Sequence, residues 1–203
     1  MSAGLQTLEA GFTEPVFGSQ NAFRALMQAL AFPGELTAMP DEHGAPAGWP
    51  RALAGAALTL LDADTAVWLD GAARSRGAEA FLKFHTGCRI AEAPNNTDFA
   101  IILDPGAAPF DQFKIGEDAF PDRSATLLIA IPSLEGGQAL CLTGPGIKTT
   151  RDIAPAGDLA PFWQAWPRNH SLYPLGYDAF FFTDGAVLGL PRGVAAEPIM
   201  GDA

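Results

Sequence analysis

Two uninterrupted apolar runs, FAIIL at residues 99–103 and TLLIAI at residues 126–131, constrain the fold of this chain more than any other feature. A strand that is apolar at every position is buried on both faces, as strands inside a parallel sheet are. These runs therefore predict a sheet with other layers packed against both of its sides, which is the architecture of α/β proteins.

The first predicted helix carries a candidate functional residue. Ser19 is a good N-terminal cap, and Pro33-Gly34 is a stop signal. The apolar positions at helical spacing are Phe23, Leu26, Met27 and Leu30. Arg24 lies at the edge of this apolar face, so it is either solvated or directed at a partner.

The other predicted elements give helices mainly in the first half of the chain and strands in the second. Helices are predicted at residues 51–61, 78–85 and 160–166, and strands at residues 35–39, 66–69, 139–142, 179–182 and 186–190. We expect the helix that follows Pro50 to be buried, because it is apolar nearly all around, and the last helix to end before Pro167. Asp184-Gly185 predicts a hairpin and hence a mixed sheet.

Length, charge and cysteine use narrow the class of protein. The 203 residues predict a single domain over 1–203, with residues 1–18 and 194–203 extended or frayed. The net charge of −11 argues against nucleic acid and anionic membranes as partners. The start of the chain lacks the features of a secretory signal, and no apolar stretch is long enough to cross a bilayer. With Cys88 and Cys141 far apart, a reducing, cytoplasmic setting is expected.

The standard catalytic motifs are absent. The chain has no GxSxG and no HExxH, and its three histidines show no metal-ligand spacing. The segment from Gly144 to Lys148 is not a phosphate loop, because Ile147 stands where glycine must precede the lysine. It predicts a tight turn, or a turn that presents amides and Lys148 to an anion.

Four further polar residues are candidates for a site. Asp62 and Asp64 either cap a turn or contact a metal ion or another ligand. His85 either stabilises the C-terminus of its helix or serves as a binding or acid–base group. Arg192 either forms a salt bridge or contacts a ligand.

An ordered series of seven short motifs between residues 20 and 192 resembles the PhnH family, the H subunit of the bacterial carbon–phosphorus lyase core complex. The motifs are Gln20-x-x-Phe23-Arg24, Leu60-Leu61-Asp62-x-Asp64-Thr65, Phe84-His85-Thr86, Ser124-Ala125-Thr126, Leu142-Thr143-Gly144-Pro145-Gly146, Tyr173-Pro174-Leu175-Gly176-Tyr177-Asp178 and Leu190-Pro191-Arg192. They supply the five candidate ligand-binding residues, Arg24, Asp62, Asp64, His85 and Arg192.

The resemblance implies a fold and a set of partners. The expected fold is a three-layer α/β/α sandwich with a mixed sheet, similar to the large domain of pyridoxal-phosphate transferases but without the cofactor site. No catalytic residue, cofactor or metal is expected. The family forms homodimers when isolated, and we expect exposed aromatic and aliphatic surface to form that contact. In the cell it assembles with the G, I and J subunits.

The resemblance also implies a function. With the G, I and L proteins, the family is needed to convert alkylphosphonate and ATP into ribose 1-alkylphosphonate 5-triphosphate during phosphonate catabolism. The chain is then an accessory, non-catalytic subunit, with a phosphonate or nucleotide ligand at a composite site. The alternatives are a ligand sensor or unrelated binding module, and a stand-alone transferase or hydrolase that uses His85 with Asp62, Asp64 or Arg192. The stand-alone enzyme requires those side chains to converge in one cleft.

Overall fold

The computed structural model describes residues 9–74 and 77–199. Its helices are α1 (Pro15–Ala31), α2 (Arg51–Leu60), α3 (Gly71–Arg74), α4 (Ala78–His85) and α5 (Ala160–Ser171). Its strands are β1 (Thr37–Ala38), β2 (Ala66–Leu69), β3 (Arg89–Ile90), β4 (Phe99–Ile102), β5 (Ile115–Glu117), β6 (Phe120–Ser124), β7 (Thr126–Ala130), β8 (Leu140–Thr143), β9 (Arg151–Ile153), β10 (Asp178–Phe182), β11 (Ala186–Leu190) and β12 (Ala195–Pro198).

A seven-stranded sheet with the order β1-β11-β10-β7-β4-β2-β3 forms the centre of the fold. The two apolar runs became β4 and β7, which pair in parallel near the middle. The strands from β10 to β3 are parallel, whereas β11 is antiparallel to both β10 and β1. The predicted hairpin and the mixed α/β sheet are therefore confirmed.

Successive side chains of the central strands enter two separate cores. Leu128 and Phe182 join a cluster with α1, α2 and α4 on one face of the sheet. Leu127 and Phe181 join a second cluster on the other face, where α5 packs beside a three-stranded sheet ordered β12-β8-β9. Since burying each large apolar side chain contributes about 1.5–3 kcal/mol, both faces must be covered for the sheet to be stable.

Helix α1 is rotated relative to the face that its large apolar residues predicted. Its buried residues are Ala22, Ala25, Leu26 and Ala29, whereas Phe23 and Met27 are exposed. The reason is the close approach of the helix to β11, where a Cβ on Gly189 would stand 2.5 Å from the carbonyl oxygen of Ala29. Small side chains permit that contact and large ones would prevent it.

Two predicted helix ends were wrong. Helix α1 begins at Pro15 rather than after Ser19, because proline is well suited to the first turn; the Ser19 hydroxyl instead donates to the carbonyl of Pro15 at 2.7 Å. Helix α5 continues past Pro167 to Ser171. The buried Asn169, which is hydrogen-bonded to the backbone of Tyr177, holds the turn beyond the proline in place.

Short strands and chain ends account for most of the remaining differences. Strands β3, β5, β6, β9 and β12 were not predicted, and the predicted strand at 35–39 is reduced to the two residues of β1. The ranges 1–18 and 194–203 were predicted to be extended or frayed. In the structure, residues 15–18 belong to α1, and β12, within the second range, pairs with β8. Residues 1–8 and 200–203 lie outside the described residues. No helix of the described residues is long and apolar enough to cross a membrane.

Candidate functional site

Arg24 stands on the outer face of α1, among exposed apolar side chains. Val16, Phe23 and Met27 on this helix are 74%, 49% and 51% exposed. Arg24 is the only charged residue between Pro15 and Ala31, and its side chain has no hydrogen-bond or ion-pair partner within the described part of the chain. We call the surface formed by Val16, Phe23, Arg24 and Met27 the α1 face.

Asp62 and Asp64 lie in the turn between α2 and β2. One oxygen of the Asp62 carboxylate accepts the backbone N–H groups of Asp64 and Thr65, at 3.0 and 3.1 Å. The backbone N–H of Asp62 in turn donates to the Thr65 hydroxyl at 2.9 Å. This geometry fits the capping alternative. Over residues 9–74 and 77–199, no group of three or more His, Cys, Asp or Glu side chains is placed to hold a metal ion.

His85 ends α4 and ties an early segment of the chain to that helix. Its Nε2 donates to the carbonyl oxygen of Glu9 at 2.8 Å, and its ring packs against Phe81 and Phe84. Three residues later, Cys88 is buried, and burial raises the pKa of its thiol. A thiol with a raised pKa is a poor nucleophile at neutral pH, so nothing here activates a His–Cys pair.

Arg192 joins three parts of the chain at the start of β10. Its guanidinium donates twice to the Asp178 carboxylate, at 3.1 and 2.5 Å, and also to the Ser124 hydroxyl at 2.6 Å and the Pro121 carbonyl at 2.9 Å. Its backbone N–H also donates to Asp178. Because Nε, Nη1 and Nη2 all have protein acceptors, the salt-bridge alternative accounts for this residue.

The five residues predicted as ligand contacts do not form one hydrogen-bonded group. Asp62 and Asp64 contact each other through the backbone of Asp64. Across the described residues, no hydrogen bond or ion pair joins His85 to Asp62, Asp64 or Arg192. Contact of these residues with a ligand stays a prediction.

A cavity of about 440 Å³ lies against α5, and none of these five residues lines it. Positions 161, 164, 165, 168, 169 and 172 line one wall, and they recur at the spacing of a single helix face. The segment 108–115 forms the opposite wall, and Tyr177 borders the cavity. The volume is in the range typical of small-molecule pockets.

Sequence reasoning missed the polar residues of this cavity. Asp111 and Arg168 line it and are exposed, whereas Tyr177 is buried beside it. Tyr177 belongs to the motif that begins at Tyr173, but no feature of the sequence indicated that it borders a site. Because the helix was predicted to end before Pro167, Gln164 and Arg168 were not predicted to lie on the same helix face.

Comparison with known proteins adds to this geometry. A family model described as bacterial phosphonate metabolism protein (PhnH) matches residues 10–197. The chain belongs to the PhnH family. The family predicted from the seven motifs is therefore confirmed.

Two curated relatives agree with the PhnH assignment. The chain is 39% identical over 198 residues to alpha-D-ribose 1-methylphosphonate 5-triphosphate synthase subunit PhnH of Rhizobium meliloti (strain 1021), with 97% of this chain and 99% of that protein covered. It is 25% identical over 173 residues to putative C-P lyase subunit protein HtxG of Stutzerimonas stutzeri, with 85% and 83% covered.

Proposed function

We propose that this chain is an accessory subunit of the carbon–phosphorus lyase core complex. It would act with the G, I and L proteins in converting alkylphosphonate and ATP into ribose 1-alkylphosphonate 5-triphosphate. The observation that carries the proposal is the 39% identity, over nearly the full length of both chains, to a subunit of a ribose 1-methylphosphonate 5-triphosphate synthase. The reaction is cytoplasmic in this proposal.

The α1 face supports assembly with another chain. Aromatic residues, methionine and arginine are enriched in protein interfaces, whereas other charged residues are depleted from interface cores. The α1 face has this composition, and Phe32 and Leu36, which follow the helix, are exposed as well. A partner that covers it would supply a carboxylate for Arg24, and the G, I and J subunits are the proposed partners. Homodimerisation in the absence of these subunits belongs to the same proposal.

The cations of the chain support an accessory role. Stabilising a triphosphate and a phosphonate during reaction takes several unpaired positive charges or metal ions. Arg51, Lys114, Arg151 and Arg192 are each engaged by a carboxylate of the same chain. Partner chains would therefore supply cations to a composite site that holds the phosphonate or the nucleotide.

The proposal includes a likeness of the fold to the large domain of pyridoxal-phosphate transferases. The chain would share their α/β/α sandwich but lack the cofactor site. A lysine forms a Schiff base only as a neutral amine. Lys83 and Lys114 instead form ion pairs with Glu79 and Asp98, at 3.3 and 2.8 Å. Both amines are therefore engaged by a carboxylate of the same chain.

Reconstitution tests the proposed function. The purified chain is mixed with the G, I, J and L proteins, ATP and methylphosphonate, and release of adenine is followed by chromatography. We expect release from the complete mixture, little release when this chain is omitted, and none from the chain alone. Adenine release by the isolated chain, or full activity of the mixture without it, would contradict the accessory role.

A further inference from the structure

The hydroxyl group of Tyr177 has no hydrogen-bond partner within the described residues, although it is buried. The side chain is 2% exposed and borders the α5 cavity. Buried tyrosine hydroxyls normally have a partner, because water no longer supplies one. Burial raises the pKa of Tyr177, and the nearby charge of Asp111 raises it further, so the phenol is protonated and able to donate at neutral pH.

The backbone holds Tyr177 firmly in this place. The side chain of Asn169 on α5 donates to the carbonyl of Tyr177 and accepts its N–H, both at 2.9 Å. The ring of Phe113 meets the tyrosine ring edge to face, with centroids 6.2 Å apart. The phenol is therefore a fixed feature beside the cavity rather than a mobile surface group.

The walls of the cavity are mostly apolar. Phe110 and Phe113 contribute aromatic rings from the segment after β4, whereas Ala165 of α5 and Leu172 just after it contribute aliphatic groups. The apolar part of the lining favours a flat apolar body, and the polar side chains of Gln164, Arg168 and Asp111 stand beside it. The bound group is thus an arene or a large aliphatic side chain.

Opposite charges stand at the mouth of the cavity. Arg168 and Asp111 both line it, and neither side chain has a hydrogen-bond or ion-pair partner among residues 9–74 and 77–199. A ligand with only an anionic group would satisfy Arg168 but would be repelled by Asp111. A zwitterion satisfies both, since guanidinium binds carboxylate and carboxylate binds ammonium.

We propose that the α5 cavity binds a free α-amino acid with an aromatic side chain. Its carboxylate pairs with Arg168, its ammonium group pairs with Asp111, and its ring occupies the apolar interior. The polar tip of tyrosine or tryptophan then supplies the partner that the Tyr177 hydroxyl lacks. This site is separate from the α1 face and does not depend on the proposed function.

Titration calorimetry on the purified full chain tests the binding chemistry. The probes are L-tryptophan, tryptamine without the carboxylate, indole-3-propionate without the ammonium group, and inorganic phosphate. We expect L-tryptophan to bind, each truncated compound to bind at least about tenfold more weakly, and phosphate not to compete. Absence of L-tryptophan binding, or equal binding of indole-3-propionate, would overturn the proposal.

Variants test the three contacts separately. Arg168→Gln and Asp111→Asn alter exposed residues and should each weaken L-tryptophan binding about tenfold, whereas Lys148→Gln, another exposed cation outside the cavity lining, should leave it unchanged. Tyr177→Phe should weaken binding of L-tyrosine but not of L-phenylalanine, which has no polar tip. Unchanged binding by Arg168→Gln, or equal losses for both amino acids with Tyr177→Phe, would count against it.

Discussion

Gly189 of β11 lies against the backbone of Ala29 in α1, so closely that a Cβ at residue 189 would be 2.5 Å from the Ala29 carbonyl oxygen. This contact determines which side of α1 faces the sheet. It leaves Ala22, Ala25 and Ala29 inside and turns Phe23 and Met27 outward. The surface proposed for partner binding thus originates from the absence of a side chain on the opposite strand.

Gly189→Ala should destabilise the chain by about 1–3 kcal/mol, because the added methyl group meets backbone rather than a movable side chain. Urea unfolding followed by circular dichroism measures the change. Gly185→Ala is the matched control in the same hairpin, since nothing lies within 4 Å of its added Cβ; its effect should stay within about 1 kcal/mol. Equal losses for the two variants would refute the close approach.

Met27→Asp on the α1 face should weaken binding to the complex subunits without lowering the free energy of unfolding, because Met27 is exposed. Loss of a hot-spot residue at the centre of a desolvated interface costs about 2 kcal/mol or more, which is over tenfold in affinity. Co-purification with the G, I and J subunits and urea unfolding measure the two effects. Phe120→Ser, an exposed aromatic on β6, is the control. If Met27→Asp binds like the unmodified chain, the α1 face is not the interface.

Arg192→Gln should cost about 3 kcal/mol of unfolding free energy, because it leaves the carboxylate of Asp178 largely buried without its cation. The side chains of Arg192 and Asp178 are 14% and 22% exposed. The pair formed by Arg51 and Asp184 is exposed at 49% and 63%, so solvent screens it and Arg51→Gln should cost clearly less than Arg192→Gln. Similar losses in urea unfolding would show that Arg192 is not a structural clamp.

The interactions of the Asp98 carboxylate predict that the free energy of unfolding falls in acid. Burial raises the pKa of Asp98, but the hydrogen bonds from Lys114 and the Ala66 backbone, with the charges of Lys114 and Arg89, outweigh it and bring the pKa below 3.8. A lowered folded-state pKa stabilises the protein above the unfolded-state pKa, and this stability is lost as pH falls through the folded-state pKa.

Asp98→Asn should therefore be less stable than the unmodified chain at neutral pH, with the difference narrowing between about pH 5 and pH 3. Urea unfolding at stepped pH measures this difference. Asp64→Asn is the control, because no side chain of the described residues pairs with that carboxylate. A difference that stays constant with pH would contradict the role of the Asp98 carboxylate.

Cys88 should react more slowly with a thiol reagent than Cys141 in the folded chain. Cys88 is buried, which raises the pKa of its thiol, whereas Cys141 is half-buried. Reaction with dithiobis-nitrobenzoate at pH 8 should show one faster and one slower group, and both should react rapidly in urea. In Cys88→Ser the slower phase should disappear; its persistence would show that the assignment is reversed.

The elements predicted well are those whose signal is local. The strand at 66–69 and the helix at 78–85 were predicted with the bounds that the structure gives them, and the Asp184-Gly185 turn gave the hairpin between β10 and β11. Their apolar patterns and turn residues act over a few neighbouring positions, so the amino-acid order is sufficient. The order of the seven motifs likewise predicted the PhnH family, which the match to the family model confirmed.

Contacts between distant segments account for the rest. The buried side of α1 depends on Gly189, the continuation of α5 beyond Pro167 depends on Asn169 holding Tyr177, and the clamp at Arg192 depends on Ser124 and Asp178. Local propensity opposes or ignores each of these outcomes. The α5 cavity was likewise invisible in the sequence, because its walls come from segments that meet only after the sheet has formed. Residue order thus specifies the elements and the family, while long-range packing selects the faces they present.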